Sequence, residues 1–234
     1  MLSGDGDEQQ VRTVANTGYR SPAYAMPDRR NPDLHLSSDF GSSIEVTQSR
    51  GRSDQPYIAM TFDDGPHPKN TPRLLDILRA RNIKATFYVI GGSVDSHPHI
   101  ARRIVAEGHE IGNHTYTHRN LKTLSDAQVR KELVRTRESI INATGVQPRT
   151  MRPPYGALYQ RQRLWIYEEF GYPTIMWAVD PKDWQRPGVE VVTNRILTNT
   201  RPGSIVLAHD LHAPTVDAMP GTLDGLLKKG YQFV

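Results

Sequence analysis

The sequence predicts an α/β fold: a mostly parallel sheet with helices packed outside it, either open or closed into a barrel. Three observations carry this. From residue 57 to the end, short apolar runs of strand character alternate with segments whose apolar residues recur at helical spacing. Gly, Pro, Asn and Asp punctuate the joins. The 234 residues are 37% hydrophobic and 23% charged, an ordinary globular balance with enough chain to bury a sizeable core.

The first 55 residues stand apart. They are rich in Ser, Gly, Asp, Asn, Gln, Arg and Pro, with few aliphatic residues and no sustained periodicity. They read as an N-terminal leader or arm, partly disordered, with one short strand near residues 44–46. The domain proper is residues 56–234. Residues 57–62 are a strand that runs into a Gly-Pro turn, and a helix follows, opened by Asn70-Thr71-Pro72 and carrying Leu74, Leu75, Ile77 and Leu78. Residues 85–90 are a buried-type strand stopped by Gly91-Gly92. Ile100, Ile104 and Val105 mark another helix, Glu110-Ile111 a short strand, and residues 125–143 a long helix opened by Ser125-Asp126. Residues 150–152, 174–179 and 204–208 read as further strands. Helices near 159–170, 188–199 and 215–229 separate or follow them, and 231–234 is a last strand.

Charge and composition narrow the function. The net charge is +4, but residues 1–56 sum to −2 and the rest to +6. A basic body suits an anionic polymer, yet no basic stripe with interleaved aromatics is present, which argues against nucleic acid. Cysteine is absent, which excludes disulfides, thiolate metal sites and a Cys nucleophile. The longest apolar stretch, residues 85–90, falls far short of the ~20 residues of a membrane span. The start lacks a basic segment followed by an apolar one, so no signal peptide is visible.

In folds of this class the chemistry sits at the carboxyl ends of the strands. Five such places stand out. At Asp63-Asp64-Gly65-Pro66, adjacent acids at a strand end point in different directions, so one can bind a metal while the other handles protons; a turn-forming Asp-Gly pair is the plainer alternative. His114 and His118 are an i, i+4 pair that can share a metal if the segment is helical or tightly looped. With Asp64 they make a two-His, one-carboxylate set suited to zinc, cobalt, nickel, manganese or ferrous iron. Arg152-Pro153-Pro154-Tyr155 is a rigid segment able to hold an Arg and a backbone N–H at a site. Asp180-Pro181-Lys182-Asp183-Trp184 and Leu207-Ala208-His209-Asp210 complete the set, with His209 a candidate general acid and Asp180 a carboxylate able to raise its pKa.

In this order the five segments resemble the five motifs of the polysaccharide deacetylases, the NodB homology domain of carbohydrate esterase family 4. The resemblance covers residues 56–234, about three quarters of the chain, and includes the closing Lys-Lys-Gly-Tyr-Gln-Phe-Val. It implies a distorted, incomplete (β/α) barrel of the NodB type. It implies that Asp64, His114 and His118 bind one divalent metal ion, zinc first, with cobalt, nickel or manganese as alternatives. Asp63 matches the general base, Arg152 the residue that orients it, and the backbone N–H of Tyr155 the oxyanion donor. His209 matches the general acid and Asp180 is matched to its partner carboxylate, which keeps the imidazole charged near neutral pH. Leu207 and Trp184 match positions lining the acetyl pocket and groove wall. His212 lies nearby without a role; His35, His67, His97, His99 and His109 are read as structural or surface groups.

The expected activity is removal of N-acetyl groups from N-acetylglucosamine residues of peptidoglycan, chitin or chito-oligosaccharides. O-deacetylation of acetylxylan with the same site is the alternative, and a non-catalytic glycan-binding module a distant third. The expected partner is an acetylated polysaccharide or oligosaccharide, with no nucleic acid, membrane span or protein partner. Such substrates lie outside the cytoplasm, so an extracellular, periplasmic or cell-wall location is expected.

Overall fold

The structure is a computed structural model and describes residues 46–234; the strand expected near 44–46 falls almost wholly outside them. The elements, in chain order, are β1 (Thr47–Gln48), β2 (Tyr57–Asp63), α1 (Asn70–Arg79), β3 (Thr86–Val89), α2 (Gly91–Ser96), α3 (Pro98–Ala106) and β4 (Glu110–Asn113). They continue with α4 (Asp126–Thr144), α5 (Gln160–Phe170), β5 (Thr174–Ile175), α6 (Val189–Asn199), β6 (Ile205–His209), α7 (Ala213–Lys228) and β7 (Gln232–Phe233). Among the described residues no helix is long and apolar enough to cross a membrane.

The α/β reading holds. Strands run β4-β3-β2-β6, all parallel, and β7 pairs with the start of β2. β1 pairs with β5, and Gly51 N–H donates to Gly203 O, so residues 47–51 pack against the domain. Between β4 and β6 the ladder is reduced to single bridges at Met151 and Val179. The result is the distorted, incomplete barrel that the resemblance implied.

Two expected strands are shorter than the sequence suggested. The segment at 150–152 makes one bridge on each side of Met151, because Pro153 and Pro154 have no N–H to extend a ladder. The segment at 174–179 is laddered only at Thr174 and Ile175. Arg152 takes the carbonyls of Ile175 and Met176 with its Nε and Nη2, at 3.1 and 3.0 Å. Gly91-Gly92 follows the end of β3 at Val89, as expected, and it also opens α2, which the sequence did not announce. Its first glycine is there for space: a Cβ on Gly91 would lie 2.6 Å from the Tyr116 ring and 2.9 Å from Thr136 Cα.

Strand alternation sorts the sheet into two faces. On β2, Ile58, Met60 and Phe62 enter the main apolar core with Leu74, Leu75 and Leu78 of α1, Ile104 of α3 and Leu223 and Leu226 of α7. On β6, Val206 and Ala208 do the same. The alternate residues Thr61, Asp63, Leu207 and His209 therefore belong to the inner face of the barrel. A second cluster packs α4 and α5 against Met151 and Tyr172. The long helix α4 is well delimited, by a Ser125–Gln128 capping box and a left-handed Gly145.

Candidate active site

Parallel pairing sets Asp63 opposite Tyr88 on one side and opposite His209 on the other. The carboxyl ends of β2 and β6 thus bring a carboxylate and an imidazole to the same level of the barrel mouth. Beneath them lies Arg152, fully buried. Its Nη1 donates to Asp63 Oδ1 and to Thr61 Oγ1, both at 2.7 Å, and its guanidinium lies 4.3 Å from the Tyr88 ring centroid. With two backbone carbonyls also held, the Arg152 fork has no freedom to swing, and it leaves Asp63 Oδ2 turned toward the mouth. That oxygen lies 3.7 Å from His114 Nε2.

Asp64 turns the other way because its backbone is left-handed, with φ 76°. Its Oδ1 lies 3.3 Å from His114 Nε2 and 3.0 Å from His118 Nε2, and the three ligand atoms lie within 4.8 Å of one another. His114 Nδ1 lies 2.7 Å from the Arg152 carbonyl, which can only accept, so Nδ1 carries a proton and Nε2 is the nitrogen turned to Asp64. Burial works to raise the Asp64 carboxyl, but the two histidines outweigh it and hold it far below the usual carboxylate range. Asp64 Oδ1 is buried with no hydrogen bond of its own. A buried carboxylate oxygen on which two imidazole Nε2 atoms converge is a donor set that a divalent cation fits.

On the opposite wall, His209 Nδ1 pairs with Asp183 Oδ1 at 2.8 Å. The other oxygen of Asp183 accepts from the His209 backbone N–H at 2.8 Å and from Thr215 Oγ at 2.9 Å. Burial alone would lower the imidazole, but the Asp183 bond, its charge and the field of Asp63 and Asp64 push it up to about 9. This corrects the expectation for Asp180. Its Oδ1 instead accepts from the N–H of Lys182 at 2.7 Å, an Asx turn at an Asp-Pro step. Asp180 lines the pocket but does not hold His209; Asp183, three residues on, does.

These groups surround one pocket of about 420 Å³. Nine of the ten residues singled out in the sequence line it: Asp63, Asp64, His114, His118, Tyr155, Asp180, Trp184, Leu207 and His209; Arg152 lies underneath. Leu207 is buried at its base, Trp184 is exposed at its rim, and Tyr155 stands over His118 with ring centroids 4.9 Å apart. The sequence reading missed Asp183, Pro153 and Trp177. Trp177 is packed so close to Gly156 (φ 65°) that a Cβ there would lie 3.2 Å from its ring. It also missed Asp210, which burial above all pushes up to about 7 and whose Oδ2 accepts from the Thr71 hydroxyl. A Cβ on Gly65 would overlap that carboxyl, so the Asp-Gly step in the first motif is a packing requirement as well as a turn.

The arrangement is matched by known proteins. A protein-family model described as polysaccharide deacetylase matches residues 50–175, more than half of the chain. The chain belongs to the polysaccharide deacetylase family. Among relatives of this family, a peptidoglycan-N-acetylglucosamine deacetylase of Listeria monocytogenes is 39% identical over 82% of this chain and 41% of its own length. The chain therefore spans about two-fifths of that relative. A chitooligosaccharide deacetylase of Bradyrhizobium is 38% identical over 75% of this chain and 86% of its own. A crystal structure of a peptidoglycan N-acetylglucosamine deacetylase bound to a hydroxamate-type benzamide superposes with a TM-score of 0.78 at 36% identity. It covers 81% of this chain and 90% of that one.

Proposed function

We propose that this polysaccharide deacetylase is a metal-dependent hydrolase that removes N-acetyl groups from N-acetylglucosamine units of peptidoglycan, chitin or chito-oligosaccharides, acting outside the cytoplasm. One observation carries the reading: an Arg152-held carboxylate and a carboxylate-held imidazole face each other across the Asp64, His114 and His118 cluster. The relatives named above are deacetylases of peptidoglycan N-acetylglucosamine and of chitooligosaccharide, both N-acetylated glycans, which supports an amide over an ester.

Asp64, His114 and His118 would hold the ion, with zinc first and cobalt, nickel or manganese as alternatives. Bound there, a divalent ion supplies Lewis acidity, polarising a carbonyl and lowering the pKa of water. The chain's own residues do the rest. Asp63, with Oδ1 fixed by Arg152, keeps Oδ2 free to take a proton from the attacking water. The backbone N–H of Tyr155 is the donor for the oxygen that becomes negative as water adds to the acetyl carbon. The carbon–nitrogen bond then breaks, and the amine leaves only if it is protonated. His209 supplies that proton, since Asp183 keeps its imidazole charged at neutral pH. Leu207 and the tryptophans give the acetyl methyl an apolar seat and the sugar a wall. The products are acetate and a free amine.

The test is acetate release from N-acetylated chito-oligosaccharides by chelator-stripped protein reloaded with each metal, beside acetylxylan. Metal-restored release from the chito-oligomers is the expected result. Release from acetylxylan alone would replace the amide reading with the ester one.

A further inference from the structure

A buried acid that takes no part in the chemistry above lies directly behind the first motif. Asp210 follows His209 in the chain and is fully buried. Its Oδ2 accepts from the Thr71 hydroxyl, and that hydroxyl accepts in turn from the His67 N–H at 2.7 Å. Thr71 is the second residue of α1 and is buried as well. Beside it, Asn70 Nδ2 donates to the Leu211 carbonyl at 2.8 Å, so the start of α1 is tied twice to the loop after β6. The Asp210 carboxyl is also packed on Gly65, where a Cβ would lie 2.6 Å from Oδ1 and 2.8 Å from Cγ. Oδ1 is buried without a hydrogen-bond partner among the described residues. An unpaired buried oxygen is costly, so filling space is not reason enough for a carboxyl here.

The residue before Gly65 is Asp64, whose left-handed backbone aims Oδ1 at His114 and His118. Among the described residues no backbone or hydroxyl donor fixes that carboxylate, so its aim is set by the backbone of the turn. On the β3 side the turn is held by two bonds: Asp64 N–H donates to the Tyr88 carbonyl at 3.2 Å, and Ile90 N–H to the Gly65 carbonyl at 2.9 Å. On the β6 side stands Asp210. We propose that Asp210 is a positioning residue for Asp64: its carboxyl, braced by Thr71, closes the β6 side of the 64–66 turn and keeps Asp64 Oδ1 on the two histidines. The inference rests on the metal-centre reading of that cluster. It explains why an acid stands where an apolar side chain would pack at less cost. The bond from Thr71 ties the brace to the start of a helix, which a leucine filling the same space could not do.

The test is metal affinity, measured on the full chain after stripping with chelator. Cobalt(II) is titrated in and followed by calorimetry and by the visible absorption of the bound ion, which reports its coordination geometry. Groups that orient a metal ligand are typically worth 10- to 100-fold in affinity. Asp210→Ala and Thr71→Val therefore each weaken cobalt binding by about that factor and alter the visible band. Asp210→Asn keeps the shape and the acceptor for Thr71, and restores most of the affinity and the wild-type band. Leu226→Ala, in the main core toward the far end of α7, is the control: it lowers the urea midpoint and leaves cobalt binding unchanged. Wild-type affinity and spectrum in Asp210→Ala and Thr71→Val would overturn the brace. So would a loss of affinity that Leu226→Ala matches, since it would follow stability alone. If Asp210→Ala does not fold, Thr71→Val against Thr71→Ser, which keeps the hydroxyl, decides by the same comparison. A wild-type protein that takes up neither cobalt nor zinc would sink the metal centre and the brace together; variants that bind as tightly as a metal-binding wild type sink the brace alone.

Discussion

Replacing Asp183 by Asn and, separately, Asp180 by Asn separates two readings of one motif. In the structure, both Asp183 oxygens are committed to His209 and Thr215, while Asp180 closes a turn onto Lys182. His209 stands at about 9 chiefly because the Asp183 bond and charge overcome its burial. Asp183→Asn keeps the shape but removes the charge, so burial is opposed only by the field of Asp63 and Asp64 and the imidazole falls to about its ordinary value of 6.5. At pH 7.5 a group with pKa 9 is ~97% protonated and one with pKa 6.5 is ~9% protonated, so the acid form drops about tenfold. The amide of Asn can also donate to Nδ1 and favour the wrong tautomer, which adds to the loss.

The assay is kcat/KM for acetate release across pH 5 to 10. A general acid is active below its pKa, so this residue sets the alkaline limb. Asp183→Asn moves that limb toward acid by about 2.5 units and lowers activity at pH 7.5 at least tenfold. Asp180→Asn leaves the limb in place. A divalent ion at Asp64 cancels part of the field from Asp63 and Asp64, which lowers the starting value and leaves the contrast between the variants unchanged in sign. An alkaline limb that moves in Asp180→Asn and stays in Asp183→Asn would refute the assignment.

Four further outcomes follow from the same geometry. Asp63→Asn lowers acetate release by about 10²-fold or more, while calorimetric metal titration still finds the Asp64, His114 and His118 site. Arg152→Met leaves Asp63 buried without its partner and costs about 3–5 kcal/mol, read as a lower urea midpoint; Arg152→Lys rescues poorly because one ammonium cannot span Asp63 and two carbonyls. Gly91→Ala forces a methyl against Tyr116 and Thr136 and costs about 1–3 kcal/mol by the same measure. His109, which burial pushes down to about 4 while it accepts from Ala85 N–H, is protonated first in the unfolded chain. Its contribution is complete above pH 6.5 and is lost as pH falls toward 4; Asp210 pulls the opposite way, so the readout is the difference between wild type and His109→Asn over that window.

Much of the fold was legible because the strands are short, apolar and regularly punctuated, and because α1 and α4 carry strong start signals. What was not legible came from side chains that compete with the backbone. The length of the strand after Thr174 depends on Arg152 taking two carbonyls, and nothing local to residues 174–179 announces it. Gly91-Gly92 ends β3 as it reads, but that it also opens α2 is explained only by Tyr116 and Thr136 packed against it. The site residues were found at the strand ends, as the fold class dictates, but the choice between Asp180 and Asp183 needed a local argument that was available. An Asp before Pro is a turn former whose carboxylate reaches the N–H two residues on, and that leaves Asp183 free for His209.

The backbone at the barrel mouth shows why the motifs are loops and not extensions of the strands. Among the described residues seven non-glycine positions have positive φ, and Asp64, Thr115, His118, Tyr155, Lys182 and Arg186 lie in the segments that form the pocket. Each left-handed residue costs of order 1 kcal/mol, so six in one region must be held by their surroundings. The restraints are visible. Asn113 Oδ1 accepts from Thr115 N–H and Thr115 Oγ from His118 N–H, so the turn that joins the two histidines is hydrogen-bonded internally. Glu132 of α4 accepts from the N–H groups of Tyr116 and Thr117, which ties the same turn to a rigid helix. An i, i+4 histidine spacing in a helix would set the rings one above the other along a face. Here left-handed Thr115 and His118 fold the segment so that both Nε2 atoms converge on Asp64, which itself needs a left-handed φ to meet them. The strain is therefore the cost of convergence, and relaxing it with helix-compatible torsions would move the ligand atoms apart before it changed any residue's identity.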